Sequence, residues 1–380
     1  MFIPLKYNIR NLFVRRTATL LTAFGIAVSV AVFVAVMALV EGMDQTFVAT
    51  GDARNIIALR RGAVSETGSI IDIEAPLIVR NFPGIEAISA ERLVYVSTPR
   101  LQGGGSSNVV IRGLNDTGRA LRPQVQLVRG RWYRPGTREL TVSRSIASRF
   151  RNCDLGDEFP TGSTRWKVVG IFDAGNTAYS SEMWTDPDGP AAAFQRRAWS
   201  DIVVRATDKA AIAPLLHLLD AEPRIDVDAR TEVDYFAEQT KASTPVRVLG
   251  NVVAVVMAVG SAFAAMNTMY AAVGARTREI AVLRALGFSG RAVALSFLSE
   301  AMLLAVVGGV IGGLAALPLN GLATGTTNWF TFSEMNFAFA ITPRLFMRGI
   351  LFAIAMGTVG GVLPAMRASR LSAAAAMRAL

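Results

Sequence analysis

The sequence predicts a membrane protein with four transmembrane α-helices in a 1+3 layout and a large α+β domain inserted between helices 1 and 2. Its composition is the first reason. Hydrophobic residues make up 52% of the 380 residues and charged residues 18%, against about 25% charged in an ordinary soluble protein. The distribution of charge is the second. Four long stretches are nearly free of charge, and one long segment is rich in charge of both signs.

The four uncharged stretches are long enough to cross a bilayer, whose core of about 30 Å requires about 20 apolar residues in a helix. We predict spans at residues 17–41, 245–275, 292–319 and 345–366. The apolar core of the first stretch is longer than that of a secretory signal peptide, so we interpret it as a retained anchor.

The orientation follows from Lys and Arg in the short flanking segments. Residues 1–16, 276–291 and 367–380 together carry eleven of them, whereas residues 320–348, on the opposite side, carry two. We therefore expect both termini and the 276–291 connection in the cytoplasm, and residues 42–244 and 320–344 outside it. In residues 1–16, the spacing of Leu5, Ile9, Leu12 and Phe13 predicts an amphipathic helix on the inner leaflet.

The long segment between spans 1 and 2 has the composition of a soluble domain. Residues 41–247 contain 26 basic and 26 acidic side chains, so the net charge of +10 lies entirely in the rest of the chain. That charge therefore indicates topology and contact with membrane lipid, and no nucleic acid is expected as a partner. The segment is long enough to bury its own core, in one lobe or two.

Alternating and β-branched runs predict strands in this domain, and cap residues predict helices. The predicted strands are Ile56–Leu59, Leu93–Ser97, Asn108–Arg112, Trp166–Phe172 and Ile202–Arg205. The predicted helices are Ser143–Phe150, Lys209–Leu219 and one that begins at Thr231.

The connection 320–344 contains the aromatic residues Trp329, Phe330, Phe332, Phe337 and Phe339. Aromatic side chains collect at membrane surfaces, so we interpret them as an interfacial belt. A docking surface for an outside partner is the alternative.

The connection 276–291 combines apolar and basic residues at helical spacing. Ile280, Leu283 and Leu286 share one face with Gly287, which is a suitable helix stop. Such a helix suits docking onto another protein. Its arginines could equally serve to hold the connection in the cytoplasm, and the residues alone leave both interpretations open.

Two features of the third predicted span stand out. Gly308 and Gly312, and likewise Gly309 and Gly313, place small residues four apart, which allows close helix packing within a chain or between chains. Glu300 is a charge within the span. We expect it to pair with an Arg near the inner interface, because a proton relay would need further acids in the spans.

Several kinds of site are excluded or disfavoured. A single His217 and a single Cys153 exclude a metal site with two imidazoles and an intrachain disulfide. None of the four lysines lies in a Gly-x-x-x-x-Gly-Lys-[Ser/Thr] motif. We expect no catalytic, cofactor-binding or metal-binding residue, and therefore no enzyme activity, in this chain.

The run Arg276-Thr-Arg-Glu-Ile-Ala-Val-Leu-Arg-Ala-Leu-Gly287 resembles the inner-loop signature of the MacB/FtsX-type ABC permeases, which include the lipoprotein-releasing permeases. The resemblance continues through Phe297-Leu-Ser-Glu300 and Gly308-Gly-Val-Ile-Gly-Gly313, and through Leu363-Pro-Ala-Met-Arg-Ala-Ser-Arg-Leu371. Within the inserted segment, Val110-Ile-Arg-Gly113 and Trp166-Lys-Val-Val-Gly170 resemble the MacB-like periplasmic core. The resemblance therefore covers essentially the whole chain.

This resemblance implies a permease subunit in the bacterial inner membrane whose inner loop is a coupling helix seated on a separate ABC ATPase. The coupling residues would be Arg276, Arg278, Glu279, Ile280, Leu283, Arg284, Leu286 and Gly287. Two ATPase copies would bind ATP and Mg, and the permease would form a homodimer or pair with a related permease. A periplasmic adaptor or another periplasmic partner is also implied.

The implied function is mechanotransmission. ATP-driven movement would reach the periplasmic domain and export or extract a substrate, as in efflux or lipoprotein release. The alternative is an FtsX-like regulator that activates a cell-wall hydrolase and transports nothing. An ion-coupled carrier is disfavoured by the scarcity of charge in the predicted spans.

Overall fold

The structure is a computed structural model that describes residues 16–327 and 334–371. Three predictions lie wholly or partly outside the described residues: the amphipathic helix at 1–16, the cytoplasmic tail from residue 372 onward, and the aromatic belt at Trp329, Phe330 and Phe332.

The described helices and strands are each numbered in chain order. The helices are α1 (Arg16–Val48), α2 (Ala75–Val79), α3 (Asp116–Ala120), α4 (Arg144–Arg149), α5 (Asp188–Phe194), α6 (Ile212–Ala221), α7 (Glu232–Gln239), α8 (Thr244–Ala275), α9 (Thr277–Ala285), α10 (Gly290–Ala316) and α11 (Pro343–Ser369). The strands are β1 (Asn55–Arg60), β2 (Ile85–Pro99), β3 (Ser106–Gly113), β4 (Gln126–Gly130), β5 (Glu139–Ser143), β6 (Glu158–Thr161), β7 (Thr164–Asp173), β8 (Glu182–Thr185), β9 (Asp201–Ala206), β10 (Val227–Thr231), β11 (Ala323–Thr327) and β12 (Glu334–Ala338).

The chain divides into two compact units. The helical unit contains the chain up to Glu41, Pro245–Leu322, and the chain from Phe339 onward. The inserted domain contains Gly42–Thr244 together with Ala323–Ala338. The segment 323–338 comes from the connection between the third and fourth long helices. The chain therefore passes between the two units four times, rather than the two times expected for a simple insertion.

The helical unit contains four helices that are long and apolar enough to cross a membrane, as predicted. They span Thr19–Val48, Thr244–Ala275, Gly290–Leu319 and Pro343–Ser369. Hydroxyl pairs join α1 to α8: Ser29 Oγ lies 2.5 Å from Ser261 Oγ, and Thr22 Oγ1 donates to Thr268 Oγ1 over 2.9 Å. Such pairs satisfy polar groups that lipid cannot satisfy.

The inserted domain is built on one mixed sheet of ten strands. Nine of them follow the order β10-β1-β9-β2-β3-β8-β5-β7-β4, and β6 pairs with β7. Strands β3 and β8 are parallel, as are β5 and β7, and the other pairs are antiparallel. Strand β2 pairs with β9 up to Glu91 and with β3 from Arg92 onward. One long strand therefore joins the two halves of the sheet.

Each half of the sheet has its own hydrophobic core. One cluster includes Val96, Ile111, Val142, Trp166 and Met183. The other includes Ile56, Val79, Val204, Leu215 and Val227. All five predicted strands lie within strands of the structure. The helices expected at Ser143 and Thr231 begin there, with each hydroxyl accepting a hydrogen bond from the backbone N–H of the third helical residue, Ile146 and Asp234 respectively. The helix expected from Lys209 begins at Ile212 instead.

A cluster of buried charges lies where β2 changes partner. Arg112 on β3 donates to Glu182 over 2.7 Å, to Glu91 over 2.7 Å and to Glu66 over 2.9 Å. Asp201, which stands opposite Glu91 in the β2–β9 pairing, is 3.4 Å from Arg112. Arg122 supplies a second cation, 2.7 Å from Glu91. The cluster ties together residues from four strands and the short 66–68 helical turn.

Residues 323–327 and 334–338 form two paired strands rather than the loop expected at 320–344. Strands β11 and β12 pair antiparallel, and Glu334 at the start of β12 is buried. Its carboxylate accepts hydrogen bonds from Arg100 at 2.7 Å, Ser107 at 2.6 Å and Arg149 at 2.5 Å. Phe337 is 3% exposed, so it contributes to the domain interior and not to an aromatic belt.

Candidate functional site

The short helix α9 lies between two long helices and is bounded sharply at both ends. Arg276 separates it from α8, with φ −109° and ψ 16°, outside the helical region. At the other end Gly287 has φ +92°. The N–H of Phe288 donates to the carbonyl of Leu283 over 3.1 Å, and that of Gly287 to the carbonyl of Arg284 over 3.2 Å. This is a Schellman motif, which favours glycine at this position.

The next long helix begins almost at once. Ser289 caps α10 by accepting a hydrogen bond from the N–H of Ala292 over 3.2 Å. At Gly290, an added Cβ would lie 2.6 Å from the carbonyl oxygen of Ser369, near the end of α11. The first turn of α10 therefore passes close to the last turn of α11, and α9 is held between fixed helix ends.

The inner face of α9 packs on the long helices. Ile280 is 1% exposed and belongs to a cluster with Val273 on α8, Val293 and Phe297 on α10, and Ala368 on α11. Ala281 is also buried. This packing fixes which face of α9 is turned away from the unit.

The outer face of α9 is partly apolar. Val282 is 59% exposed and Leu286 69% exposed, with Ala285 exposed between them and Arg278 exposed one turn before Val282. An apolar stripe of this kind on a short helix, next to a cation, has the character of a protein docking surface. We call Arg278, Val282, Ala285 and Leu286 the outer stripe of α9.

The structure places the residues predicted for this site on different faces of α9 and at its two ends. Arg278, Glu279, Leu286 and Gly287 are exposed, and Leu283 and Arg284 are half-buried. Ile280 and Arg276 are buried. The face expected to contain Ile280, Leu283 and Leu286 is therefore not a single exposed surface. Val282 and Ala285 were not predicted. Val282 lies four residues from both Arg278 and Leu286, and Ala285 lies three residues after Val282; this helical spacing is the signal in the sequence that could have identified them.

Arg276 binds Glu300. Its Nη1 donates to Oε2 of Glu300 over 2.6 Å, and its Nη2 to Oε1 over 3.0 Å. Each side chain is 6% exposed. Glu300 therefore has the arginine partner expected for it, and that partner is one of the residues predicted for ATPase coupling.

The four predicted packing glycines make contacts within the chain, on two sides of α10. A Cβ added at Gly308 would lie 2.9 Å from the carbonyl oxygen of Ala23 on α1, and Gly312 meets the next turn of α1 at Ala27. A Cβ added at Gly309 would lie 2.9 Å from Ala353 on α11, and at Gly313 2.5 Å from Phe346. The two glycine pairs let α10 pack tightly between α1 and α11.

Across 16–327 and 334–371, no three His, Cys, Asp or Glu side chains are grouped so that they could hold a metal ion. Burial, and then the nearby charge of Asp157, raises the pKa of the Cys153 thiol to about 12. A thiol with such a pKa is unreactive at neutral pH.

Sequence comparison matches two families to consecutive parts of the chain. The MacB-like periplasmic core domain matches residues 19–222. The FtsX-like permease C-terminal family matches residues 251–373, from α8 to the end of α11. Together with the four apolar helices, these matches define a multi-pass membrane protein of the permease class. The chain belongs to the MacB/FtsX-type ABC transporter permeases.

Individual relatives are distant. The pyoverdine export ATP-binding/permease protein PvdT of Pseudomonas entomophila is 26% identical over 391 residues, which cover 95% of this chain and 57% of PvdT. The uncharacterized ABC transporter permease YvrN of Bacillus subtilis is 24% identical over 434 residues, 98% of each chain. The chain thus spans just over half of PvdT and nearly all of YvrN. Among solved structures, the periplasmic region of MacB from Actinobacillus actinomycetemcomitans matches at 13% identity with a TM-score of 0.38, over 51% of this chain and 95% of that one.

Proposed function

We propose that this chain is the membrane-spanning subunit of a bacterial ABC transporter complex, in which α9 is the coupling helix that docks onto a separate ATP-binding subunit. The observation that carries this proposal is the outer stripe of α9, where Val282 and Leu286 are 59% and 69% exposed. Movement imposed on α9 by ATP-driven closure of the ATPase would pass to the long helices and then to the inserted domain.

The residues of α9 divide into two roles under this proposal. Arg278, Val282, Ala285 and Leu286 contact the ATPase, with Glu279, Leu283 and Arg284 at the edge of the contact. Arg276 and Ile280 hold the helix on its own spans, and Gly287 ends it. An interface with an apolar centre and a charged rim is the usual design of a stable protein contact.

The proposed setting is the bacterial inner membrane, with both termini and α9 in the cytoplasm and the inserted domain in the periplasm. The excess of Lys and Arg in the flanks of the spans supports this orientation. We also propose a second permease copy, or a related permease, in the complex. The valine-rich face of α8, with Val252, Val255, Val256 and Val259 exposed, gives lipid or that second copy a surface to cover.

Export of a substrate is favoured over the activation of a cell-wall hydrolase. PvdT bears a name that describes pyoverdine export, and the MacB relative from Hyphomonas neptunium one that describes macrolide export. On this proposal the ATP and Mg are bound by two copies of the ATPase subunit, and an adaptor is the periplasmic partner.

The docking role is tested by Val282→Glu, with Val64→Glu as a matched control in the inserted domain, where Val64 is 77% exposed. A carboxylate placed at the centre of an apolar contact must lose its hydration. We expect the ATPase that co-purifies with the tagged wild-type chain to bind the Val282 variant at least tenfold more weakly, equivalent to about 1.4 kcal/mol. It should bind the Val64 variant normally. Equal binding by both variants would refute the docking surface.

The orientation is tested by single cysteines in the full chain, because the native Cys153 is buried and has a raised pKa. A membrane-impermeant maleimide added to intact spheroplasts should label Val64→Cys and leave Arg291→Cys unlabelled, Arg291 being an exposed residue of the 276–291 connection outside the proposed ATPase contact. After permeabilisation both should react. Labelling of Arg291→Cys in intact spheroplasts would reverse the proposed topology.

A further inference from the structure

The ion pair between Arg276 and Glu300 joins the start of α9 to the interior of α10. Both terminal nitrogens of the guanidinium bind one carboxylate, over 2.6 Å and 3.0 Å. The guanidinium carbon also lies 5.7 Å from the ring centroid of Phe297, one turn earlier on α10. A planar, two-point contact fixes the relative orientation of two groups as well as their distance.

The ion pair lies at a junction between several helices. Arg276 is the residue at which the chain turns from α8 into α9. Glu300 is followed by Ala301, which packs against α11: a Cβ added at Gly361 would lie 2.7 Å from the Cβ of Ala301, and one at Gly357 3.0 Å from its carbonyl oxygen. The pair therefore lies where the α8–α9 junction, α10 and α11 meet.

The surroundings of the pair are nearly dry. The space beside it, lined by Ile280, Leu283 and Val293, measures about 10 Å³, which admits one water molecule at most. Charges that are shielded from water attract each other strongly. Because the Arg276 side chain is 6% exposed and both of its terminal nitrogens bind Glu300, it offers little surface to a partner subunit.

We infer that Arg276 and Glu300 are positioning residues that fix the angle of α9 on α10, so that a movement of α9 is carried to α10 and α11. The fixed angle follows from the pair itself, whereas the transmitted movement rests on the proposed docking of the ATPase. A buried ion pair adds little stability over apolar residues of the same size. Its two-point geometry instead specifies one orientation for a helix whose apolar inner face could pack at several angles.

The fixed angle is tested by amide hydrogen exchange of residues 279–286 in the full chain in lipid nanodiscs. Glu300→Gln keeps the size of the side chain and removes its charge. We expect exchange in this segment to become at least tenfold faster, and the charge-reversed pair Arg276→Glu with Glu300→Arg to recover protection. Arg278→Gln, on the outer stripe of the same helix, is the control and should exchange like the wild type. Unchanged protection in Glu300→Gln would overturn the inference.

A second variant keeps the test decisive if Glu300→Gln does not fold. Arg276→Met with Glu300→Leu replaces the pair by apolar side chains, a change that buried ion pairs often tolerate. We expect this variant to bind the co-purifying ATPase within twofold of the wild type. An environment-sensitive dye attached through Val64→Cys in the inserted domain should change its fluorescence when ATP and Mg are added to the otherwise wild-type complex, and this change should be lost in the apolar double variant. Val64 is 77% exposed, and a dye fixed there reports on the inserted domain whatever tryptophans the ATPase contains.

The two proposals fail in different ways. If Val282→Glu releases no ATPase and Glu300→Gln still loosens α9, the docking role is wrong and the positioning role stands. If Val282→Glu releases the ATPase and the apolar double variant transmits the ATP signal like the wild type, docking stands and the pair has no positioning role.

Discussion

The helical unit and the inserted domain bury different kinds of side chain. In the helical unit, α10 meets its neighbours through Gly308 and Gly312 on one side and Gly309 and Gly313 on the other. The buried charged side chains described there are Arg276 and Glu300. In the inserted domain, Arg112 and Arg122 lie at the centre of the sheet among several buried carboxylates.

The difference reflects what surrounds each unit. Lipid is as apolar as the helix surfaces, so helices in a membrane associate through close contact between small residues. The inserted domain must instead choose one register for a long strand that serves two cores. Only one alignment of β2 places Glu91 opposite Asp201 and next to Arg112, and a slip of one residue would move these charges to the other face of the sheet. Close packing between small residues holds the helical unit together, and the buried charges specify the register of β2 in the inserted domain.

Removing the central cation should have the largest effect. Arg112→Met leaves Glu66, Glu91, Glu182 and Asp201 without their shared partner, and we expect the free energy of unfolding to fall by about 3–5 kcal/mol. Urea unfolding of the full chain in detergent, followed by tryptophan fluorescence, measures this loss. Arg165→Met is the control, because Arg165 forms an exposed pair with Glu158 at 4.0 Å. Such a pair is worth at most about 1 kcal/mol. Similar losses in both variants would mean that the buried cluster contributes no more than a surface pair.

Filling a helix contact should have a smaller effect, of about 1–3 kcal/mol. In Gly312→Val, the new side chain would collide with the carbonyl of Ala27 and the side chain of Val30 on α1. Gly260→Val is the control, because a Cβ added there meets nothing within 4 Å. Both variants carry the same change in helix propensity. Resistance to unfolding by sodium dodecyl sulfate, followed by far-UV circular dichroism, should fall only for Gly312→Val. A loss of the same size at Gly260 would show that the glycine contacts do not hold the unit together.

The sequence predicts the helical unit better than the inserted domain. The signals for a membrane span are local, whereas the contacts of the domain join residues that are far apart in the chain. Apolar runs and flanking arginines are local signals, and they predicted four spans. Glu300 could be assigned an arginine partner because few charges lie near the spans. Glu334 could not, since its partners Arg100 and Arg149 lie 234 and 185 residues away. The segment around it was therefore predicted as a membrane-surface loop instead of a pair of strands of the inserted domain.

The candidate site shows the same limit within one short helix. Its C-terminal end was predictable, since Gly287 is a local stop signal. Its outer face was not, because apolar residues occur on more than one side of α9, and only the packing of Ile280 against Val293 and Phe297 decides which side is exposed. Val282 was missed for that reason.

The smallest expected effect is the change in stability over one pH unit, and it separates the two kinds of interior. Burial, and then the charges of Glu91 and Glu66, raises the pKa of Asp201 well above its ordinary range. An unfolded Asp ionises near pH ~3.9. From there up to the raised pKa, the folded state holds a proton that the unfolded state has lost. Stability therefore falls as the pH rises through this window, by up to about 1.4 kcal/mol per pH unit.

Asp201→Asn removes this titration and keeps the shape of the side chain, so the variant should gain stability over the wild type as the pH rises above about 4. Glu66 acts in a separate window. Burial, the largest single influence, raises its pKa, but the charge and hydrogen bonds of Arg112, the hydrogen bond with Asp201 and the charge of Arg122 together lower the pKa below the ordinary range. Its contribution is therefore lost only as the pH falls below about 4.3. Urea unfolding at a series of pH values from 4 to 8 checks the slope, and an Asn variant with the wild-type slope would assign the dependence to another group. The loss caused by Gly312→Val should stay constant over the same range, because close packing involves no proton.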